Sequence, residues 1–214
     1  MIINFEGIDH SFKETNSKRL VETLKEMGYK ATRFSFPDYN SVYGKEIKRH
    51  LKGEIKLSND ELYLLFNKDK FAKLDRMMEL ISMGYIIVID RFKYSNLAYN
   101  YERCNPNVYK LEEYLPNPDL TIYLKTDLDL IKDLIYKRAK DNGEEPDINE
   151  SNFDYLKKVQ KNYRKVLRMH RDSSGIYTIP VFNDKGLREP DDIFNDIMDK
   201  VLFALPPRLK CKEE

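Results

Sequence analysis

The N-terminal stretch IINFEGIDHSFKET constrains the fold more than any other part of the sequence. An apolar run at 1–5 is typical of a buried strand, and Leu20 and Leu24 recur downstream at helical spacing. Between them, Gly7 and Lys13 are spaced as they are in loops that bind phosphate. A strand, a glycine turn and a helix in this order predict the first unit of a parallel α/β sheet.

The turn departs from a standard phosphate loop at two positions. Phe12 stands where such loops carry a second glycine, and a bulky side chain at positive φ costs about 1 kcal/mol or more. Glu14 stands where a hydroxyl is expected, and its carboxylate would repel phosphate unless Mg²⁺ lies between them. Thr15 offers a hydroxyl one place later. Taken alone, this stretch is better interpreted as a plain strand-to-helix turn.

Strands and helices alternate along the rest of the chain. Further strands are predicted at 32–36, 84–89, 121–124 and 177–181. Helices are predicted at about 14–28, 44–51, 59–83, 127–141, 151–171 and 189–204. This alternation predicts an α/β fold with a five-stranded parallel sheet flanked by helices on both faces.

The carboxyl ends of the predicted strands carry polar or turn-forming residues. Gly7, Pro37, Asp90 and Thr126 each lie at one of these ends. Ligands of parallel α/β sheets bind in a crevice outside the carboxyl ends of the strands. We therefore expect these four positions to converge on one ligand site.

Composition excludes several function classes. The chain has 37 Lys and Arg against 36 Asp and Glu, so it lacks the basic excess of a nucleic-acid-binding protein. The sequence shows no apolar run of membrane-spanning length and no signal-peptide pattern at its N-terminus. Cys104 and Cys211 lie too far apart for a metal motif, which suits a reduced, cytoplasmic protein.

The length and the order of elements predict one domain. The chain has 214 residues, enough for a single α/β domain with a sizeable core. We expect the domain to span residues 1–205, with a polar lid at about 137–150 over the crevice. Residues 206–214 are expected to form a flexible tail.

Five segments follow one another in an order that resembles the thymidylate kinase family. They are RFSFPDYNS (33–41) with Gly44-Lys45, LLFNKDKF (64–71), VIDRFKYSNLAY (88–99), PDLTIYL (118–124) and DINE (147–150). They are similar, in turn, to the family's Phe-Pro strand with its Gly-Lys helix, its thymine-binding helix, its Asp-Arg-Tyr segment, its fourth strand and the segment after its lid. The resemblance covers about residues 1–180.

The resemblance implies a P-loop kinase fold and a nucleoside monophosphate kinase. Such an enzyme transfers the γ-phosphoryl group of ATP to dTMP or a related pyrimidine monophosphate, with Mg²⁺ as cofactor. It implies catalysis through positioning and charge neutralisation by Lys13, Arg91 and the metal ion, with Asp9 as a further catalytic residue that contacts the acceptor nucleotide. The expected partners are the monophosphate and ATP, and a homodimer is expected by family analogy alone.

The resemblance also assigns residues around ATP and the metal ion. The expected ATP-binding residues are Asp9, His10, Ser11, Lys13, Glu14 and Thr15. Ligands for the magnesium shell are expected from Asp90, Glu14 and Thr15. For Asp90 and Arg91, a surface salt bridge with each other is the alternative interpretation.

For the acceptor nucleotide, the resemblance implies a pocket. Its expected substrate-binding residues are Phe36, Tyr39, Phe66, Lys70, Arg91, Ser95 and Tyr99. Phe66 would stack on the thymine ring, and Arg91 would bridge the acceptor and donor phosphates. The aromatic residues are equally compatible with a core position, Lys70 with a solvated helix face and Ser95 with a helix cap.

Four positions depart from the family pattern. Tyr39 and Lys70 stand in place of arginines that grip the monophosphate and the base, so weaker phosphate binding and looser base recognition are expected. His10 and Ile148 stand in place of arginines in the loop and the lid. The basic residues that either replace the lid charge or form a solvated helix face are Lys137, Arg138 and Lys140.

Three hypotheses follow from these residues. The first is an active nucleoside monophosphate kinase for dTMP. The second is a catalytically impaired relative that binds nucleotide in a binding or regulatory role, and the third is a P-loop kinase with a different phosphate acceptor. Lys13, Asp90 and Arg91 are the charges that an inactive descendant would most easily lose. Their presence favours an enzyme.

Overall fold

The computed structural model describes residues 1–141, 147–171 and 175–205. Its main strands are β1 (Ile2–Glu6), β2 (Ala31–Ser35), β3 (Ile86–Asp90), β4 (Leu120–Lys125) and β5 (Gly175–Pro180). They are all parallel and pair in the order β2-β3-β1-β4-β5. The predicted five-stranded parallel sheet is therefore confirmed.

Helices make up most of the remaining structure. They are α1 (Lys13–Glu26), α2 (Val42–Leu51), α3 (Asn59–Ser82), α4 (Lys93–Asn100), α5 (Pro106–Tyr109), α6 (Leu128–Asp141), α7 (Phe153–Met169) and α8 (Pro190–Ala204). A 3₁₀ helix, Lys110–Tyr114, follows α5, and a small hairpin pairs β6 (Phe182–Asn183) with β7 (Gly186–Leu187). Across the described ranges, the helices are too short or too polar to cross a membrane.

Helices cover both faces of the sheet. Successive side chains of a strand point to opposite faces, so each strand contributes to both packing layers. On one face, Ile3, Phe5 and Val88 are fully buried in a cluster with residues of α1 and α8. On the other, Ile87 and Ile89 are fully buried in a cluster with residues of α3. Helices α1 and α3 therefore pack against opposite faces of the sheet.

Helix α3 begins at a reciprocal cap. The Ser58 hydroxyl accepts the Glu61 N–H at 3.3 Å, and the Glu61 carboxylate accepts the Ser58 N–H at 2.8 Å. Such a capping box satisfies N–H groups that the helix itself leaves free. It fixes the residue at which α3 begins, and Phe66 and Lys70 follow on this helix.

Some boundaries and elements differ from the sequence prediction. β5 begins at Gly175, two residues earlier than predicted, and Val181 lies outside it. Helices α4 and α5, the 3₁₀ helix and the β6–β7 hairpin were not predicted. Most residues of α4 are buried, polar ones included, so the sequence shows no one-sided apolar pattern there.

The predicted lid and tail are described only in part. Residues 137–141 belong to α6, and turns follow residue 147. Residues 142–146 and the predicted tail, 206–214, lie outside the described residues. The single-domain organisation with a lid therefore stays a prediction.

Packing at the sheet centre gives a stability prediction. Ile122 of β4 is fully buried, so we expect Ile122→Ala to lower the free energy of unfolding by about 2–5 kcal/mol. Leu202 of α8 is 50% exposed, and we expect Leu202→Ala to change it by less than about 0.5 kcal/mol. Urea unfolding measures the free energy of unfolding of both variants. Equal decreases in the two variants would contradict the assignment of Ile122 to the core.

Candidate active site

The loop after β1 turns sharply at Gly7. This residue has φ 150°, and an added Cβ would lie 2.6 Å from Ser11 Oγ and 2.7 Å from the Leu124 carbonyl oxygen. Only glycine permits so close an approach at this φ. The loop that follows, residues 8–12, leads directly into α1 at Lys13.

Phe12 adopts the left-handed conformation that glycine adopts at lower cost. It has φ 63° and ψ 21° immediately before α1. Its partly buried side chain packs against the core cluster beneath α1 and α8. That packing offsets a backbone cost of about 1–2 kcal/mol. The turn therefore keeps its left-handed geometry without a second glycine.

Lys13 is held within the loop. Its Nζ donates to the Ile8 carbonyl oxygen at 2.5 Å and to Ser11 Oγ at 3.0 Å, and only 6% of the residue is exposed. Burial, together with the nearby Arg91 charge, lowers the pKa of the Lys13 ammonium to about 7. An anion entering the loop would compete with Ile8 and Ser11 for these N–H groups.

Glu14 and Thr15 form the first turn of α1, and both are exposed. The Glu14 carboxylate lies 2.7 Å from the Lys18 ammonium, which partly compensates its charge. The helix dipole favours an anion at this end of α1. The roles of both residues toward ATP and metal stay predictions.

An ion pair between Asp9 and Arg91 joins the loop to the end of β3. Arg91 donates through Nη2 to Asp9 Oδ1 and through Nη1 to the Gly7 carbonyl oxygen at 3.0 Å. The Tyr99 hydroxyl donates to Asp9 Oδ2 at 2.7 Å. Burial acts to raise the pKa of the Asp9 carboxyl, but the Arg91 and Lys13 charges outweigh it and lower the pKa to about 2. Asp9 is therefore a carboxylate that fixes the guanidinium.

Asp90 has a different partner. Its Oδ2 accepts from Arg33 Nη2 at 2.7 Å, and Arg33 Nε donates to Ser17 Oγ at 2.8 Å. The side chains of Asp90 and Arg91 are only 10% and 16% exposed. The interpretation of these two residues as one surface salt bridge is therefore wrong. The role of Arg33, between α1 and β3, was not predicted.

A cavity that is open to solvent lies beside the Asp9–Arg91 pair, with about 540 Å³ of empty space when the solvent at its mouth is counted. Its lining includes all seven side chains predicted for the acceptor nucleotide, namely Phe36, Tyr39, Phe66, Lys70, Arg91, Ser95 and Tyr99. The lining residues that were not singled out from the sequence are Leu51, Phe92, Asn96, Asp147 and Asn149. Of the four strand-end positions, Pro37 lines the cavity, whereas Gly7, Asp90 and Thr126 lie outside its lining. Substrate binding by these residues stays a prediction.

One part of the cavity combines carboxylates with a phenol. The Tyr39 side chain is 43% exposed, and its partial burial, together with the nearby negative charges of Asp9, Asp147 and Glu150, raises the pKa of its hydroxyl. Burial and the charges of Asp9 and Glu150 also raise the pKa of the Asp147 carboxyl to about 6. Of the two cations among the described lining residues, Arg91 pairs with the Asp9 carboxylate and Lys70 pairs with Glu112.

Another part of the cavity is aromatic. Phe66 and Lys70 lie about one turn apart on α3, and the rings of Phe36 and Phe92 pack with centroids 6.1 Å apart. Lys70 is 2% exposed and pairs with Glu112 at 2.9 Å, so its interpretation as a solvated lysine is wrong. Aromatic walls with a few buried polar groups suit a planar ligand such as a nucleobase.

A buried carboxylate that was not predicted, Glu6, organises the neighbouring strand ends. It accepts the Phe92 N–H at 3.1 Å through Oε1, and the hydroxyls of Ser95 and Tyr163 through Oε2. Ser95 lies inside α4 and belongs to this network, so the helix-cap interpretation is wrong. The sequence signal that could have identified Glu6 is a charged residue at the end of an apolar strand. A charge buried at such a position requires hydrogen-bonding partners.

The segment after the predicted lid contacts the loop. His10 Nε2 lies 2.9 Å from Glu150 Oε1, and the Ile148 N–H donates to the Leu51 carbonyl oxygen at 3.3 Å. Lys140 is exposed at the end of α6. The side chains of Lys137 and Arg138 lie outside the described residues, so the expected replacement of the lid charge stays a prediction.

Known proteins share this sequence pattern. The thymidylate kinase family model matches residues 5–179. A thymidylate kinase of Plasmodium falciparum is 32% identical over 202 residues, which is 93% of this chain and 88% of that protein. A probable thymidylate kinase of Archaeoglobus fulgidus is 34% identical over 165 residues, which is 75% of this chain and 79% of that protein.

Solved structures share the fold. A thymidylate kinase from Candida albicans matches with a TM-score of 0.72 at 22% identity, over 94% of this chain and 91% of that chain. A thymidylate kinase from Ehrlichia chaffeensis matches with a TM-score of 0.70 at 16% identity, over 94% of this chain and 98% of that chain. With a family match over most of its length and a 32% identical relative of which it covers 88%, this chain belongs to the thymidylate kinase family.

Proposed function

We propose that the protein is an active thymidylate kinase, which transfers the γ-phosphoryl group of ATP to the phosphate of dTMP and yields ADP and dTDP. The observation that carries the proposal is the cavity beside the loop. It collects the side chains expected around the acceptor and reaches Arg91, which is anchored to the loop through Gly7. Family membership supports both the reaction and the substrate.

The acceptor lies between α3 and the ends of β2 and β3 in this proposal. Phe66 stacks on the thymine ring, and Lys70 donates to a base carbonyl. Tyr99 lines the wall beside Arg91. The Tyr39 hydroxyl offers the phosphate one neutral hydrogen bond in place of a charge, so Arg91 is the main cation for the acceptor phosphate.

The donor triphosphate lies on the loop and the start of α1. Backbone N–H groups and the helix dipole favour its phosphates, and Lys13 leaves Ile8 and Ser11 to contact them. Arg91 neutralises the charge that develops between acceptor and donor during transfer. Asp9 does not react; it holds the guanidinium in place.

The residues around the loop fit a magnesium ion that is held mainly by phosphates and water. No cluster of three or more His, Cys, Asp or Glu suited to a metal is found among the residues described. One carboxylate with substrate phosphates is a common arrangement for Mg²⁺, and Asp90 at the end of β3 supplies it. Glu14 and Thr15 are the further oxygen donors. Such an ion neutralises phosphate charge when bound.

Two broader expectations belong to the same proposal. Cys104 is a buried free thiol, which agrees with a reducing compartment such as the cytoplasm. A homodimer is proposed by family analogy alone.

Lys13 provides the most direct test of the loop. We expect the wild-type protein to release ADP from ATP with dTMP in a coupled assay. Lys13→Ala should lower kcat by roughly 10²–10³-fold, because a group that stabilises the transferring charge is lost. Lys25→Ala, an exposed lysine on the same helix, is the matched control and should keep the wild-type rate.

The same assay separates the alternatives. ADP release with another monophosphate but not with dTMP would favour a different acceptor. Silence with every acceptor, alongside retained dTMP binding, would favour an impaired relative. Equal rates for wild type and Lys13→Ala would show that the loop has no phosphate role.

Asp147 gives a pH prediction. Its pKa of about 6 means that the carboxyl is mostly ionised at pH 7.5 and mostly neutral at pH 5. An ionised carboxylate repels the dTMP phosphate, so at pH 7.5 Asp147→Asn should bind dTMP about threefold to tenfold more tightly than wild type. The two proteins should converge at pH 5.

Calorimetric titration of both proteins measures this difference. Titration of dTMP itself affects them equally, so the ratio of their affinities isolates Asp147. Asp154→Asn, at an exposed position, is the control and should follow the wild type. A ratio that does not change with pH would contradict a position of Asp147 near the phosphate.

A further inference from the structure

A buried glutamate behind the cavity contacts two of its polar lining residues. Glu112 lies in the 3₁₀ helix, Lys110–Tyr114, and is 2% exposed. Its Oε1 accepts from Lys70 Nζ at 2.9 Å and from Asn96 Nδ2 at 2.7 Å. Lys70 and Asn96 line the cavity, so one carboxylate oxygen fixes two side chains that face the ligand.

The ion pair is costly to bury. The side chains of Lys70 and Glu112 are 2% and 3% exposed, and removing two charges from water can cost as much as their attraction returns. Stability alone therefore gives a weak reason for this pair. Its geometric effect is definite, because it holds the ammonium at one place on the cavity wall.

The orientation of Asn96 is fixed from two sides. Its Nδ2 donates to Glu112, and its Oδ1 accepts from Asn100 Nδ2 at 2.9 Å. A flipped amide would place Oδ1 against the carboxylate and Nδ2 against the Asn100 amide donor. The amide of Asn96 is thus held in one orientation, with one Nδ2 hydrogen left to donate and one Oδ1 lone pair left to accept, whereas the Lys70 ammonium can only donate to a ligand.

We propose that Glu112 is a positioning residue for base recognition: by holding Lys70 and Asn96 as donors, it makes the cavity select a keto base over an amino base. The inference rests on the proposed function, since it assumes that the nucleobase lies beside Phe66. Glu112 itself lies behind these residues and acts through them.

The chemistry of the base edge explains the selection. Uracil and thymine present a carbonyl oxygen at C4, which accepts from an ammonium or an amide N–H. Cytosine presents an amino group there, which would face donors and leave them unpaired. Stacking on Phe66 gives no such discrimination, because every base has a π-face.

The test compares dUMP with dCMP, which share sugar and phosphate and differ in the pyrimidine edge at C4 and N3. We expect wild type to bind dUMP at least about tenfold more tightly than dCMP by calorimetry, and Glu112→Gln to reduce that preference about fivefold or more. Glu113→Gln, at the exposed neighbouring position, should keep the wild-type preference. An unchanged preference in Glu112→Gln would overturn the proposal.

Kinetics add a readout that a merely structural role would not change. In Glu112→Gln, KM for dTMP should rise while kcat stays within about twofold, because the groups that act on the phosphates are unaltered. A fall in kcat with KM unchanged would overturn the proposal.

A second variant covers failure of Glu112→Gln to fold. Lys70→Met with Glu112→Leu replaces the ion pair by apolar side chains, a change that buried pairs commonly tolerate. It should fold, as shown by thermal unfolding, and lose the dUMP preference; a folded double variant that keeps the preference would overturn the proposal. Wild type that binds no dTMP would refute the proposed function and this inference together. Wild type that binds dTMP but does not distinguish dUMP from dCMP would refute this inference alone.

Discussion

The ion pair between Asp9 and Arg91 is the contact on which the rest of the site depends. It ties the loop after β1 to the residue after β3, two neighbouring strands of the sheet. Arg91 also binds the Gly7 carbonyl and lies 5.3 Å from the ring centre of Tyr99. The loop, the cavity wall and Arg91 are thereby one connected unit, so a small shift of either strand end would move all three.

The altered loop is understandable within this unit. A left-handed residue is required before α1, and the Phe12 ring finds core contacts that glycine lacks. Glu14 points its charge at Lys18 on the outer turn of the helix. The two departures from a standard phosphate loop therefore change its conformational free energy and its charge, while a left-handed residue is still present before α1.

The sequence predicted the fold and the cavity walls well, because strand periodicity and the order of segments survive substitution. Phe66 and Lys70 were found in this way, although the burial of Lys70 was not foreseen. Glu6, Arg33 and Glu112 could not be assigned, because each acts through partners distant in sequence. A buried charge becomes interpretable only when its partner is known. Helix α4 was missed altogether, because its buried polar residues hide the apolar pattern.

The central claim is that the loop still holds a triphosphate next to Arg91. A crystal structure with Mg²⁺, dTMP and a non-hydrolysable ATP analogue tests it most directly. The account predicts phosphates bound by the loop N–H groups, with Lys13 moved from the Ile8 carbonyl oxygen to phosphate oxygens and Phe12 still at positive φ. An analogue bound elsewhere, with Lys13 still on Ile8 at saturating nucleotide, would contradict it.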